Sequence, residues 1–182
     1  MILTGKEDLR VQKTIEGIYR SFEQLLCEKD YEKISVTELC QRAKISKKTF
    51  YVYYTDLNDL LAEMQEQLSG AYIERVARYR LPQDAEKVIR EFFLFCAEQG
   101  EAYERITCQE TFQYIRGKMI RNVESGTKID DFTSTLPGVF MSTALLEIYK
   151  YWIAGGKKES IEEIITEATA LICNGLNRIK NR

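Results

Sequence analysis

Apolar residues recur every three or four positions along most of this chain, which is the spacing of one face of an α-helix. The first stripe predicts a helix from about Asp8 to Cys27, and the last predicts a helix of five turns from Ile161 to Ile179. No stretch alternates between apolar and polar residues for long enough to predict a strand. The pattern therefore predicts an all-α fold.

Two short helices are predicted after the first one, separated by the four residues "AKIS". Ser35 is followed three residues later by Glu38, the capping-box spacing in which each side chain bonds the other's free backbone N–H. A helix from Val36 to about Ala43 should follow. Ser46 fits the next N-cap, and the aromatic residues behind it predict a helix of about two turns. This is the outline of a helix-turn-helix.

The rest of the chain is predicted to form a helical bundle. Asp56 fits the N-cap of a fourth helix that could continue to Arg80, and Pro82 should start the next one. Between Leu136 and Ile153 apolar residues point almost all round the helix, so this helix must be covered on two sides. The second cover comes either from the remaining helices or from a second copy of the chain, which a symmetric dimer would supply. We expect a homodimer formed through the last two helices.

Composition and charge fit a globular protein with one basic region. The chain of 182 residues is 45% hydrophobic and 30% charged, with 2 prolines and a net charge of −2. Within residues 34–54, however, four basic residues face one acidic residue. Positive charge is thus concentrated in the predicted helix-turn-helix.

Several kinds of chemistry are not indicated. The chain contains no histidine, which removes the usual Ser-His and Cys-His nucleophile pairs and the commonest general base. Its five cysteines are widely spaced and never form a C-x-x-C pair, so neither a disulfide framework nor a zinc site is predicted. We expect no catalytic residues, no metal site and no cofactor.

No membrane or export segment is predicted either. The N-terminus "MILTGKEDLR" lacks the apolar core of a signal peptide. The most apolar long stretch, around residues 136–154, is interrupted by Glu147 and Lys150 and is short of a membrane span. A cytoplasmic protein is expected.

The helix-turn-helix has an inner and an outer set of residues. The inner set should pack the two helices together, and consists of Leu39, Ala43, Ile45, Phe50 and Tyr54. The outer set consists of Lys47, Lys48, Thr49, Tyr51, Val52 and Tyr53. The second helix of such a motif fits the major groove of DNA, with its N-terminal residues at base edges and its flanks at phosphates.

The run "ISVTELCQRAKISKKTFYVYYTDLNDLL" resembles the DNA-binding domain of the TetR family of transcriptional regulators. The matching positions are Thr49, Phe50, Tyr51, Tyr53, Tyr54, Leu60 and Leu61, and the resemblance extends from residue 8 to about residue 68. A later passage, "YWIAGG", with "SIEEI" after it, resembles the last two helices of members from Firmicutes-type bacteria. Lys44 stands at the family's usual turn glycine, and Leu57 at a common lysine.

The resemblance implies two domains with different functions. Residues 1–56 would form the DNA-binding domain, with the motif at 35–54, and residues 57–182 the effector-binding and dimerisation domain. Tyr51 would bond a phosphate, and Tyr53 would lie against the DNA backbone or a base methyl group. The implied DNA-binding residues are Thr37, Lys44, Lys47, Lys48, Thr49, Tyr51 and Tyr53. Candidate residues for a pocket are Phe92, Phe95, Phe112, Ile115, Phe140, Tyr149 and Trp152.

The function expected from this resemblance is a ligand-responsive repressor that binds a palindromic double-stranded operator as a homodimer, with an unknown small-molecule effector. Two alternatives stay open. The same fold could act as a co-activator or adaptor through protein partners, since Leu57 replaces a family lysine. An all-α metal-dependent enzyme is the other alternative, in which Asp130 and Asp131 would hold Mg²⁺ through a phosphate.

Overall fold

A computed structural model of the protein describes residues 8–108 and 136–180, the last six of them by backbone only. These ranges contain eight α-helices, one short 3-10 helix at Tyr31–Lys33 and no strand, which confirms the all-α prediction. The helices are α1 (Leu9–Glu28), α2 (Val36–Arg42), α3 (Lys47–Tyr53), α4 (Leu57–Val76), α5 (Ala85–Glu98), α6 (Glu101–Cys108), α7 (Leu136–Ala154) and α8 (Ile161–Lys180).

Two predicted helix boundaries are wrong, and backbone hydrogen bonds explain both. Helix α4 ends at Val76 and does not reach Arg80, because the next residues bond carbonyls only three positions back, as in Tyr79 N to Val76 O at 2.9 Å. Helix α5 starts at Ala85 instead of Pro82. The chain first makes a turn in which the Asp84 N–H donates to the Arg80 carbonyl at 2.8 Å.

The helices belong to two compact units. Of the described residues, the first unit comprises 8–69 and 100–108, and thus contains α1, α2, α3, the first part of α4, and α6. The second comprises 70–99 and 136–180, with the end of α4 and helices α5, α7 and α8. The expected domains, 1–56 for DNA binding and 57–182 for effector binding and dimerisation, are defined by function and not by compactness. This division stays a prediction.

The first unit has one hydrophobic core built around the apolar stripe of α1. Its buried members are Ile18, Phe22, Leu25, Leu26, Ile34, Leu39, Cys40, Phe50, Tyr54, Leu60, Leu61, Met64 and Ile106. Full burial of one large apolar side chain contributes about 1.5–3 kcal/mol. Helix α6 joins this core through Ile106, whose carbonyl also accepts a hydrogen bond of 2.9 Å from the Gln65 amide of α4. The core therefore fixes α2 and α3 on a support made by three longer elements.

The second unit packs α5 against α7 and α8. Its core contains, among others, Val88, Ile89, Phe93, Met141, Leu145, Tyr149, Ile165, Ala168 and Ile172. Only one side of α7 is buried in this way. The other side exposes Leu136, Phe140 and Tyr151 at helical spacing, with the exposed Glu147 between the last two. The expectation that this side is covered by a second copy of the chain stays a prediction.

Candidate nucleic-acid interface

Side-chain caps start both helices of the helix-turn-helix. The Ser35 hydroxyl accepts a hydrogen bond from the Glu38 N–H at 3.2 Å, and the Ser46 hydroxyl accepts one from the Thr49 N–H at 3.0 Å. Both predicted N-caps are confirmed. The capping box is only half formed, because the Glu38 carboxylate turns to the ammonium of Lys29, the C-cap residue of α1, 2.6 Å away. Glu38 therefore connects α2 to the end of α1.

The turn between the two helices places Lys44 in the left-handed region, with φ of 54°. The Ile45 N–H bonds the Cys40 carbonyl at 3.0 Å and the Lys44 N–H bonds the Gln41 carbonyl at 3.2 Å. These two bonds define a Schellman motif, which closes a helix and usually has glycine where Lys44 stands. The chain thus closes α2 with a turn that usually contains glycine, and has a lysine in that position.

Replacement of Lys44 by glycine is expected to raise the free energy of unfolding by about 0.5–1 kcal/mol. A left-handed non-glycine residue costs about 1–2 kcal/mol, and part of this gain is offset by the greater freedom of glycine in the unfolded chain. Urea unfolding followed by circular dichroism measures the change. Lys48→Gly is the control, because it places a glycine inside a helix. It should lower the free energy of unfolding by about 1 kcal/mol. A destabilising Lys44→Gly would contradict the strained turn.

The inner side of α3 is fixed by two aromatic residues, as predicted. Phe50 and Tyr54 are buried, and their ring centroids lie 5.6 Å apart. Leu39 is buried as well, while Ala43 and Ile45 are partly buried against the same core. The inner set of the helix-turn-helix is therefore confirmed.

A buried polar cluster below α3 was not predicted. The Tyr54 hydroxyl donates to the Glu63 carboxylate of α4 at 2.9 Å, and the Tyr19 hydroxyl of α1 donates to the same oxygen. The Gln67 amide donates to the Tyr19 hydroxyl at 2.7 Å. Burial raises the pKa of Tyr19 and of Tyr54, so both hydroxyls keep their protons and act as donors. The cluster joins α1, α3 and α4.

The outer side of α3 carries the predicted DNA-contact residues. Lys47 and Lys48 are exposed, Thr49 and Tyr53 are half-buried, and Tyr51 is 56% exposed. Thr37 on α2 and Lys44 in the turn are exposed too. Tyr53 differs from the rest, because its ring also packs against the core of the first unit. The seven predicted residues are thus exposed or half-buried, and Tyr51 also makes an edge contact with the buried ring of Phe50.

Helical geometry shows which residues of α3 point most directly away from the core. Successive residues are rotated by about 100° around the helix axis. Lys48 and Val52 therefore point almost directly away from the buried Phe50, while Tyr51 and Thr49 lie to either side of that line. Val52 is 69% exposed. The outermost stripe of the helix thus carries one cation and one apolar side chain.

Ion pairs show which positive charges of the motif are uncompensated. Arg42 forms two hydrogen bonds with the Glu28 carboxylate, at 2.5 and 2.7 Å, and Glu38 is paired with Lys29. Within residues 8–108 and 136–180, no ion pair involves the three lysines Lys44, Lys47 and Lys48. The positive charge of the surface therefore resides on the turn and on the start of α3.

The predicted pocket residues are only partly brought together. In the second unit, rings contact one another with centroid separations of 5.4–6.4 Å; the members are Tyr72, Phe92, Phe93, Phe95, Tyr149 and Trp152. We call this set the aromatic cluster. Phe140 lies nine residues from Tyr149 and so on the opposite side of α7, where it is 43% exposed. Phe112 and Ile115 lie outside the described residues.

A membrane-spanning helix or a cluster of metal ligands would indicate another class of protein. No helix in the described ranges is both long and apolar enough to cross a membrane. In the same ranges no group of three or more metal-ligating side chains comes together. Asp130 and Asp131, the ligands of the enzyme alternative, lie outside the described residues.

Solved structures supply the comparison with known proteins. The chain is similar to the transcriptional regulator FadR from Bacillus subtilis, solved in complex with stearoyl-CoA. The identity is 16%, the match covers 88% of this chain and 98% of that one, and the TM-score is 0.61. It is also similar to the fatty acid degradation regulator FadR from Bacillus halodurans, at 15% identity, over 92% of this chain and 96% of that one, with a TM-score of 0.62.

These likenesses establish the fold: the chain has the all-helical architecture of these regulators over nearly its whole length. No family model and no curated protein sequence matches it. The neighbours are FadR-type regulators, and the resemblance to the TetR family is not confirmed by them.

Proposed function

We propose that this protein is a DNA-binding transcriptional regulator with the domain organisation of the TetR family, acting as a ligand-responsive repressor and not as an enzyme. The observation that carries the proposal is the outer surface of α3. Three lysines without ion pairs in the described residues and the exposed ring of Tyr51 stand on a short helix whose other side is fixed in a core. Such a surface is complementary to a polyanion such as the DNA backbone.

The dimensions of α3 suit the major groove of DNA, which is about 12 Å wide. With the helix inserted, the outermost residues Lys48 and Val52 would reach base edges. Residues to either side, Lys47 and Tyr51 on one flank and Thr49 on the other, would meet the phosphates that line the groove. Lys44 in the turn would add a further positive charge. Tyr53, half-buried, would reach the backbone from the edge of the surface.

A homodimer would supply two such helices. The exposed stripe of α7 carries the large apolar residues Leu136, Phe140 and Tyr151 around one charged residue, Glu147, and Leu171 exposes a further apolar side chain on α8. A two-fold axis would place the same stripe of each copy against the other. Two recognition helices about 34 Å apart would then enter successive major grooves of a palindromic operator.

The effector site is proposed in the second unit, next to the aromatic cluster. Phe92, Phe95, Tyr149 and Trp152 belong to that cluster, while Ile115 stays a candidate lining residue. The likeness to a regulator solved with stearoyl-CoA makes a long-chain acyl-CoA the first effector class to test. An effector that binds the free form better than the DNA-bound form would release the operator.

The adaptor alternative stays a second candidate. Leu57, which replaces a family lysine, is partly buried against the core of the first unit, which gives it a packing role whichever function the protein has. A missing phosphate contact at that position is compatible with DNA binding through the lysines of α3 and the turn.

Binding to DNA that includes the protein's own promoter region tests the proposal. Purified protein should shift this duplex at about 50 mM salt in the presence of excess calf-thymus DNA, and the affinity should fall as salt is raised. An effector of the proposed class should reverse the shift. If the protein binds this duplex no better than the competitor, and selects no sequence from a random duplex library, the repressor function is excluded.

Lys47→Ala is expected to weaken DNA binding about equally on all sequences. A lysine that neutralises one phosphate contributes about 1 to the slope of log affinity against log salt concentration, so a dimer with two changed subunits should lose about 2. Fluorescence anisotropy across a salt series measures the slope. Lys158→Ala removes the same charge from an exposed position between α7 and α8 and should leave the slope unchanged. Equal slopes for Lys47→Ala and wild type would place Lys47 away from phosphate.

A further inference from the structure

Val52 is an exposed apolar residue at the centre of a polar surface. Its side chain is 69% accessible although it belongs to the seven-residue helix α3. Packing does not explain its presence, because the buried residue of this helix is Phe50. Helix formation does not explain it either, since β-branched residues are mildly unfavourable in helices.

The neighbours of Val52 define its surroundings. Lys48 precedes it by four residues and therefore lies beside it on the outermost stripe of the helix. Tyr51 and Thr49 occupy the two sides of that stripe. A helix with polar flanks and one apolar side chain on its outermost line is complementary to a groove with charged walls and one apolar group on its floor.

The major groove of DNA offers only one apolar group of this kind. Base edges present hydrogen-bond donors and acceptors, except for the 5-methyl group of thymine. We propose that Val52 contacts this methyl group and thereby selects thymine at one position in each half of the operator. The inference rests on the proposed DNA-binding function and adds a base preference to it.

A selection experiment followed by removal of single methyl groups tests the proposal. Wild-type protein is used to select duplexes from a random library, and each thymine of the selected half-site is then replaced by deoxyuridine. This replacement removes only the methyl group. At the position that Val52 contacts, wild-type affinity should fall about fourfold for each methyl group removed, as expected for one buried methyl-sized group.

The variant Val52→Ala should bind the thymine and deoxyuridine duplexes equally, with wild-type affinity for the deoxyuridine duplex. Val52→Thr, which keeps one of the two methyl groups, should retain part of the preference and is the second variant if the first does not fold. Because Val52 is exposed, the thermal midpoints of both variants should match that of wild type.

Three outcomes would overturn the role of Val52. Wild type could select a sequence in which no thymine is sensitive to deoxyuridine. The loss on methyl removal could be as large in Val52→Ala as in wild type, which would assign the contact to another side chain such as Thr49. If wild type selects no sequence at all, the proposed function fails and the base preference fails with it. The first two results leave DNA binding intact. A failure of the proposed role of Val52 can therefore be distinguished from a failure of the proposed DNA-binding function.

Discussion

Tyr54→Ala is expected to lower the free energy of unfolding by about 3 kcal/mol or more, the usual cost of removing a large aromatic side chain from a core. Tyr54 is 2% exposed, its ring contacts Phe50, and its hydroxyl donates to Glu63 at 2.9 Å. Removal would leave a cavity next to α3 and take one donor from a buried carboxylate. Equilibrium unfolding in urea, followed by circular dichroism, measures the loss.

Two further tyrosine variants separate the contributions of the Tyr54 ring, of its hydroxyl and of its buried position to this loss of stability. Tyr54→Phe keeps the ring and removes only the hydroxyl, so the expected cost is about 1–3 kcal/mol for the lost bond to Glu63. Tyr51→Ala removes the same side chain from the exposed side of the same helix, and should cost no more than about 1 kcal/mol, mainly through its edge contact with Phe50. A Tyr54→Ala variant as stable as Tyr51→Ala would contradict the core position of Tyr54.

Tyr151→Asp is expected to convert the proposed dimer into monomers and to abolish high-affinity operator binding. Tyr151 is 76% exposed in the single chain, so the protomer should still fold. In a two-fold interface the change occurs twice, and each carboxylate would be buried against an apolar stripe at a cost of several kcal/mol. The dissociation constant of the dimer should rise by at least about 100-fold, since each 1.4 kcal/mol is a factor of ten.

Sedimentation equilibrium measures the oligomeric state of this variant, and circular dichroism confirms its fold. Leu9→Asp is the matched control, because Leu9 is 70% exposed but lies on α1 in the first unit. This control should stay dimeric. A Tyr151→Asp protein that is as dimeric as the control would place the interface on another surface.

The helices that sequence reasoning predicted best are those whose apolar stripes are regular. Helices α1 and α8 were predicted to within a few residues at each end, because one face of each is continuously apolar. The two short helices of the motif were found through Ser35 and Ser46, since a cap is a local signal that needs no tertiary contact. The end of α4 could not be found in this way. It depends on a turn whose hydrogen bonds follow from the conformation of residues 77–84.

In the candidate site too, features with a local sequence signal could be predicted, and features that depend on distant residues could not. The outer residues of α3 follow from its register once Phe50 is taken as the buried position. The partner of Glu38 does not follow from the sequence, because Lys29 lies nine residues earlier, just after α1, and the capping pattern indicates the nearer backbone N–H of Ser35. The cluster of Tyr19 and Glu63 was missed for a similar reason. A tyrosine and a glutamate 44 residues apart give no local sign that they share a hydrogen bond.

The left-handed Lys44 has a consequence for kinetics. A glycine at this position would relax the turn, but it would also remove an exposed positive charge from the surface that the proposed function turns toward DNA. Like charges grouped on one surface accelerate the diffusional encounter with an oppositely charged polymer, and this acceleration fades as salt rises. If the proposed function holds, Lys44 lowers the free energy of unfolding slightly and raises the rate constant for association with DNA. The residue at the left-handed turn position then contributes to the association rate as well as to the shape of the turn.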